Sequence, residues 1–274
     1  MALFSNTLAV VRQYLSSAVG DLILSTAGTP LSTTLYTDST LLRADDYYND
    51  QHYRAYCYSG TAIGQEREVY DWVFANRNLI FTPAFSPTIA ENDTFELHHI
   101  FTEKEYRRAI NLAIESLAGK YLVDIIDDTT IGDTTAMTAT LWEYALPTSL
   151  LYLTKVTEEH EVDGEVFYDE DVIDPRNWSI IKAYPPYLKL DRRYYTPTAG
   201  KDLRLEGQGT QPLVTGDTDV IYLPPDWVVQ KAITFLPQNK IQSNDLDATY
   251  RQAIILSARE PRVYPDPRAQ RIVE

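Results

Sequence analysis

The chain has 274 residues, 44% of them hydrophobic and 23% charged, and its 24 Lys and Arg against 39 Asp and Glu give a formal net charge of −15. So acidic a surface repels nucleic acid and anionic membranes, which excludes a dedicated nucleic-acid grip, and no stretch is apolar for long enough to span a bilayer. The single cysteine, Cys57, excludes an internal disulfide; set between Tyr56 and Tyr58 in a strand-like run, it reads as a small buried side chain.

Residues 5–19 predict a helix. Leu8, Val11, Leu15 and Ala18 share a face, Ser5 or Thr7 can cap it, and Gly20-Asp21 closes it. Arg12-Gln13 interrupt the one apolar block near the N-terminus, so a secretory leader is not expected. Residues 21–100 read as β. Ser25 to Thr34 is loop-like and Asp38 to Leu42 a short helical turn. Strands are predicted at Tyr53 to Tyr58, Arg67 to Phe74, Leu79 to Phe81 and Asp93 to Ile100, with turns at Ser59 to Gly64 and Asn76 to Asn78.

The clearest helix is 103–121, where Tyr106, Ala109, Ile110, Ala113, Ile114, Leu117 and Tyr121 form one stripe and Thr102 with Glu105 a capping box. Residues 125–222 are β again, with strands at Thr138 to Ala145, Leu150 to Val156, Trp178 to Lys182, Tyr187 to Leu190 and Leu203 to Glu206, the last ended by Gly207 and Gly209. Pro224-Pro225-Asp226 then opens an apolar helix through Trp227, Ile233 and Leu236, stopped by Pro237. A last helix spans about 244–259, capped by Asn244, with Leu246, Tyr250, Ala253, Ile254 and Ser257 as its stripe. Three prolines make the final dozen residues extended and loosely ordered.

This pattern predicts an α+β protein: a helical core of about four helices with two inserted antiparallel β-modules. The segments are an N-terminal core helix at 1–20, a β-module at 21–101, a central core helix at 102–124, a second β-module at 125–223, C-terminal core helices at 224–260 and an extended arm at 261–274. Tyr106, Ile110, Ile114 and Leu117 of the central helix should pack with Trp227 and Ile233 in the core.

Catalytic chemistry finds little footing. Glu159, Glu161, Asp163, Gly164 and Glu170 match the ligand spacing of a calcium loop, but a strand precedes them and Asp174-Pro175 follows where a helix should run, so a β-hairpin turned at Asp163-Gly164 is the expectation. Gly60 and Gly64, and Gly207 and Gly209, lack the endings of phosphate cradles. His98 and His99 are adjacent in a predicted strand and face opposite sides, and His52 and His160 have no ligand partner at a recognisable spacing. No nucleophile elbow is present and no two carboxylates stand out as acid and base. Neither catalytic activity, nor a metal, nor a cofactor is expected.

Gly60 to Val69, Thr82-Pro83-Ala84-Phe85-Ser86, Asn92 to Leu97, Ala109 to Ile114, Leu203 to Gly207 and Leu223 to Trp227, in that order, resemble virion proteins from the neck of tailed bacteriophages, the head-to-tail adaptor or connector family. The resemblance implies a dodecameric homo-oligomeric ring, built in the host cytoplasm and carried in the virion, that joins portal protein to a tail, stopper or terminator protein and lets DNA pass without specific binding. It also implies a C-terminal segment that reaches the portal. Here that arm carries Arg262, Arg268 and Arg271, with Ile272 and Val273 as its apolar anchor. An alternative expectation, from 20 tyrosines and tryptophan-bearing β-structure, is a tail or baseplate protein that binds carbohydrate or a receptor.

Overall fold

A computed structural model describes residues 4–132, 134–162 and 164–272. In chain order the elements are β1 (Asn6–Thr7), α1 (Leu8–Ala18), β2 (Ile23–Thr26), β3 (Leu35–Thr37), α2 (Tyr47–Asp50), β4 (Arg54–Ser59), β5 (Glu66–Val73), β6 (Asn78–Thr82), β7 (Thr94–His98) and α3 (Glu103–Ser116). They continue with β8 (Val123–Ile131), β9 (Glu143–Ala145), β10 (Leu150–Glu158), a 3-10 turn at Asp169–Asp171, β11 (Trp178–Ile181), β12 (Tyr187–Leu190), β13 (Leu203–Gly209), β14 (Val220–Ile221), α4 (Pro225–Ile233), α5 (Gln238–Ser243), α6 (Asp247–Ser257) and β15 (Gln270–Arg271).

The expected helical core with inserted β-modules is overturned. Strand makes up 28% of the protein and helix 22%, with 15 strands in four sheets against six helices among the described residues. The physical reason is that sheets carry most of the burial. Two clusters of buried side chains lie on sheets, and strands too short for a periodic signal supply much of them.

The chain divides into two compact units. The first comprises Phe4–Ser116 and Leu213–Glu260. Its antiparallel sheet has the order β2-β7-β4-β5-β6-β3. Tyr36, Trp72, Leu79, Phe81, Phe85 and Phe95 fill its core, with the Tyr36 ring stacked on Phe95 at 4.7 Å. The helices of this unit pack on one another, α4 touching α1, α3 and α6. Helix α3 starts at its capping box: the Glu105 N–H donates to Thr102 Oγ1 at 3.2 Å and the Thr102 N–H to Glu105 Oε2 at 2.8 Å. Its buried stripe, Tyr106, Ala109, Ile110, Ala113 and Ile114, follows the three-four spacing. Each large apolar side chain there contributes roughly 1.5–3 kcal/mol by leaving water. Helix α1 is capped by Thr7, whose Oγ1 accepts from the Val10 N–H.

The second unit comprises Leu117–Pro212 and the tail from Pro261. It holds a sheet of order β15-β10-β13-β8 and another of order β11-β12-β9. Gly207 does not end β13 but sits inside it, opposite Leu153; Gly209, opposite Leu150, is its last residue. A Cβ at Gly209 would collide with the Ser149 carbonyl and one at Gly207 with that of Tyr152, so close strand approach requires both glycines.

Other local expectations shift. Asp38 to Leu42 is not helical; Asp38 anchors a turn, accepting from the Thr40 N–H and from Ser25 Oγ. Asn244 does not cap the last helix, which starts after Leu246, and α2 and α5 were not anticipated. The tail is not loose. Its residues Gln270 and Arg271 pair with β10, and Ile272, fully buried, joins the core of its unit.

Candidate functional site

The most concentrated chemistry lies inside the first unit, around Arg12. Helix α1 places Arg12 on the same inward face as Leu8, Val11 and Leu15, fully buried. Its guanidinium grips Glu96 on β7 through two bonds, Nε to Oε2 at 2.7 Å and Nη2 to Oε1 at 3.0 Å. Nη1 donates to Asp217 Oδ1 and lies 3.7 Å from Glu103 at the start of α3. The Tyr56 ring covers the guanidinium at 4.4 Å, and its hydroxyl donates to Asp217 Oδ2 at 2.8 Å. Burial opposes the Arg12 charge, but the bonds to Glu96 and the charges of Glu96 and Asp217 outweigh it and raise its pKa. Burial pushes the Glu103 carboxyl up despite Arg107 and Arg12.

His98 is the last residue of β7 and His99 follows the strand, each with its own partners. His98 is buried 3.5 Å from Glu96 with neither ring nitrogen hydrogen-bonded, and burial holds its pKa below the usual value. His99 Nδ1 lies 2.8 Å from Asp21, which also accepts from the Ile100 and Phe101 N–H groups and from the Tyr106 hydroxyl. Burial would raise Asp21, yet the hydrogen bonds from His99, Phe101 and Ile100 hold it below the usual carboxylate range. Every charge here is matched by a neighbour that positions a helix or a strand end. The arrangement is a clasp joining α1, α3, β7 and the segment before β14. Sequence reading missed it, although a charged residue on the α1 stripe and Glu96 between two apolar residues were the signals.

The calcium-loop residues have other occupations. Glu159 is buried, and its carboxylate accepts from the Glu165 N–H at 2.6 Å and the Asp202 N–H at 3.1 Å. Asp163, with the hairpin turn expected there, lies outside the described residues. Among the described residues no group of three or more His, Cys, Asp or Glu is placed to hold a metal ion. Cys57 is buried, its thiol pushed up to about 12 chiefly by burial.

All six residues named for the helical core, Tyr106, Ile110, Ile114, Leu117, Trp227 and Ile233, are buried. Of the arm, Arg262, Arg268 and Arg271 are exposed, Ile272 is buried, and Val273 lies outside the described residues.

The surface feature that sequence reading missed is on α6. Its inward residues are small, Ala253 and Ser257, while Ile254, Ile255 and Leu256 are 46%, 74% and 51% exposed. Ser257 is held in place by its carbonyl, which accepts from Trp227 Nε1 at 3.1 Å. Leu256 borders a groove of about 700 Å³ that Tyr14 of α1 and Pro225, Trp227 and Val229 of α4 also line. Three consecutive large aliphatic side chains in water beside an apolar groove form a surface of the kind that takes a protein partner. Comparison with protein-family models, with curated proteins and with solved structures found no match.

Proposed function

We propose that this chain is a structural assembly subunit, a head-to-tail adaptor or connector of a tailed-phage neck. It would form a homo-oligomeric ring of about twelve copies that joins portal to tail and passes DNA, the number resting on the family resemblance alone. The observation that carries the assembly reading is the row Ile254, Ile255 and Leu256 beside the Tyr14–Trp227 groove. Burying that row against a neighbour would contribute about 3–5 kcal/mol. The placement in a neck is supported by the ordered sequence likeness, and the charge of −15 suits a channel wall along which DNA slides without sticking.

Sedimentation velocity tests the assembly, and addition of the protein to DNA-filled heads that lack it tests the neck. The wild type should sediment as a closed oligomer and restore infectious particles. Ile255→Glu with Leu256→Glu should sediment as a folded monomer and restore none. A wild type that stays monomeric and never joins heads would overturn the reading.

A further inference from the structure

A second surface, in the second unit, is built by two matching turns. In the first, Asp174 Oδ1 accepts the Arg176 N–H at 2.8 Å; in the second, Asp191 Oδ1 accepts the Arg193 N–H at 2.9 Å. Each is an Asx turn that presents an arginine two residues on. The Asp191 N–H donates to the Asn177 carbonyl at 2.7 Å, which holds the turns side by side. Between them runs the outer face of the β11-β12-β9 sheet, where the register sets Ser179, Lys189 and Glu143 in one row. The result is a groove of about 650 Å³ with Arg176, Arg192 and Arg193 exposed around it, while the side chains of Trp178 and Leu190 are buried in the core of the unit. Lys189 is already paired with Glu143 at 3.1 Å. Among the described residues, no carboxylate lies within ion-pair distance of Arg176, Arg192 or Arg193. In a chain of net charge −15, three such guanidiniums on one groove are a local reversal of the general field.

The same unit carries the complementary feature. The segment 164–170 after β10 exposes Glu165 and Glu170, interleaved with the half-exposed Val166 and Tyr168. Neither of these carboxylates has a cation at ion-pair distance among the described residues. The loop is nevertheless held in shape. Glu159 accepts from the Glu165 N–H, the His160 N–H donates to the Val166 carbonyl at 2.8 Å, and Lys155 bonds Asp169 at 2.8 Å. A preformed loop loses little conformational freedom when it docks.

We propose that the groove bounded by Arg176, Arg192 and Arg193 takes the acidic segment 164–170 of a second copy of this chain. The inference rests on the assembly reading above. Copies that each carry −15 repel one another, and contact is favourable only where positive meets negative. Arginine pairs carboxylates through two parallel bonds, so the groove selects as well as attracts. Within one copy, no ion pair joins this loop to these arginines among the described residues, so both halves of the contact remain for a neighbour.

Charge reversal tests this on the full-length chain by sedimentation velocity. Arg192→Glu with Arg193→Glu should weaken association by about ten-fold or more, and Glu165→Arg with Glu170→Arg should do the same. All four positions are exposed, and unchanged thermal unfolding of each protein would verify its fold. Mixing the two reversed proteins should restore association, because each loop then meets a groove of opposite sign. Association that neither reversal weakens, or that mixing fails to restore, would overturn the groove contact. If Ile255→Glu with Leu256→Glu abolishes an assembly that charge reversal leaves intact, the assembly reading stands and the groove falls. A monomeric wild type removes both.

Discussion

Arg12→Met retains most of the aliphatic stem and removes the one cation at the centre of the clasp. Glu96 and Asp217 then remain at side-chain exposures of 0% and 4% with their main counter-charge gone, while Glu103, at 7%, keeps Arg107 at 3.4 Å. Breaking a buried ion pair by deleting one partner costs about 3–5 kcal/mol, because the remaining charge stays desolvated. Gln13 still donates to Glu96 at 3.1 Å and Tyr56 to Asp217, which keeps the loss inside that range rather than above it. For a domain of 150–250 residues this corresponds to a fall in Tm of about 6–20 °C. Urea denaturation followed by tryptophan fluorescence measures it, since Trp72 and Trp227 are buried in the same unit. The loss should also depend on pH. Arg12 lowers both Glu103 and His98, so without it these two hold protons more tightly when folded, and the folded variant binds more protons than the folded wild type. Its stability therefore recovers, relative to wild type, as pH falls from 8 towards 5. Converting Arg12 and Glu96 together to Met should cost less than the sum of the single changes. A midpoint for Arg12→Met within about 0.5 kcal/mol of wild type at pH 8 would refute the idea that this cluster holds the unit together.

The remaining predictions concern the tail and the buried histidine. Ile272→Asp places a charge in the core of the second unit and should lower that unit's stability by several kcal/mol on the scale of such burials, read by thermal unfolding; an unchanged Tm would mean that the β15 pairing is dispensable. His98 has a folded pKa below its ordinary 6.5, so its contribution is complete above about pH 6.5 and is lost as pH falls towards the folded value. His98→Gln should therefore flatten the loss of wild-type stability between pH 7 and pH 5, where a single proton changes stability by at most about 1.4 kcal/mol per pH unit. Glu66 and Glu103, both raised by burial, act in the opposite sense, so the informative quantity is the difference between variant and wild type.

What was legible in the sequence was local. The α3 stripe from Tyr106 to Ile114 and the Thr102–Glu105 box are local to one helix, which ends at Ser116 and leaves the expected Leu117 and Tyr121 beyond it, and the turn at Asn76-Arg77 lies between two strands, with Asn78 already in β6; neither needs a distant partner to declare itself. What was illegible depended on partners far along the chain. β2 and β3 are four and three residues long, too short for a period of two, so no strand is named at either, and Ser25, the inward residue of β2, reads as the start of a loop. Gly207 resembled a strand end because the carbonyl that excludes a Cβ there belongs to Tyr152. Arg12 resembled an interruption because Glu96 and Asp217, 84 and 205 residues away, are what make it a core residue. Ile272 lay in a proline-rich tail whose sheet partner begins more than 100 residues earlier.

Helix α6 shows how such a misreading bears on function. Spacing alone assigned Leu246, Tyr250, Ala253, Ile254 and Ser257 to its buried stripe, yet only Ala253 and Ser257 are buried. Small residues face inward because α4 packs closely there and Trp227 reaches the Ser257 carbonyl. Close approach leaves no room for Ile or Leu on that side, so the large side chains of the last turn are displaced outward. A helix that buries its small residues and exposes Ile254, Ile255 and Leu256 leaves apolar surface in water that folding of the single chain does not remove. That surface is what the proposed assembly would cover. The proposal draws its support from an inverted packing pattern that spacing alone does not reveal, since it depends on the face that α4 takes.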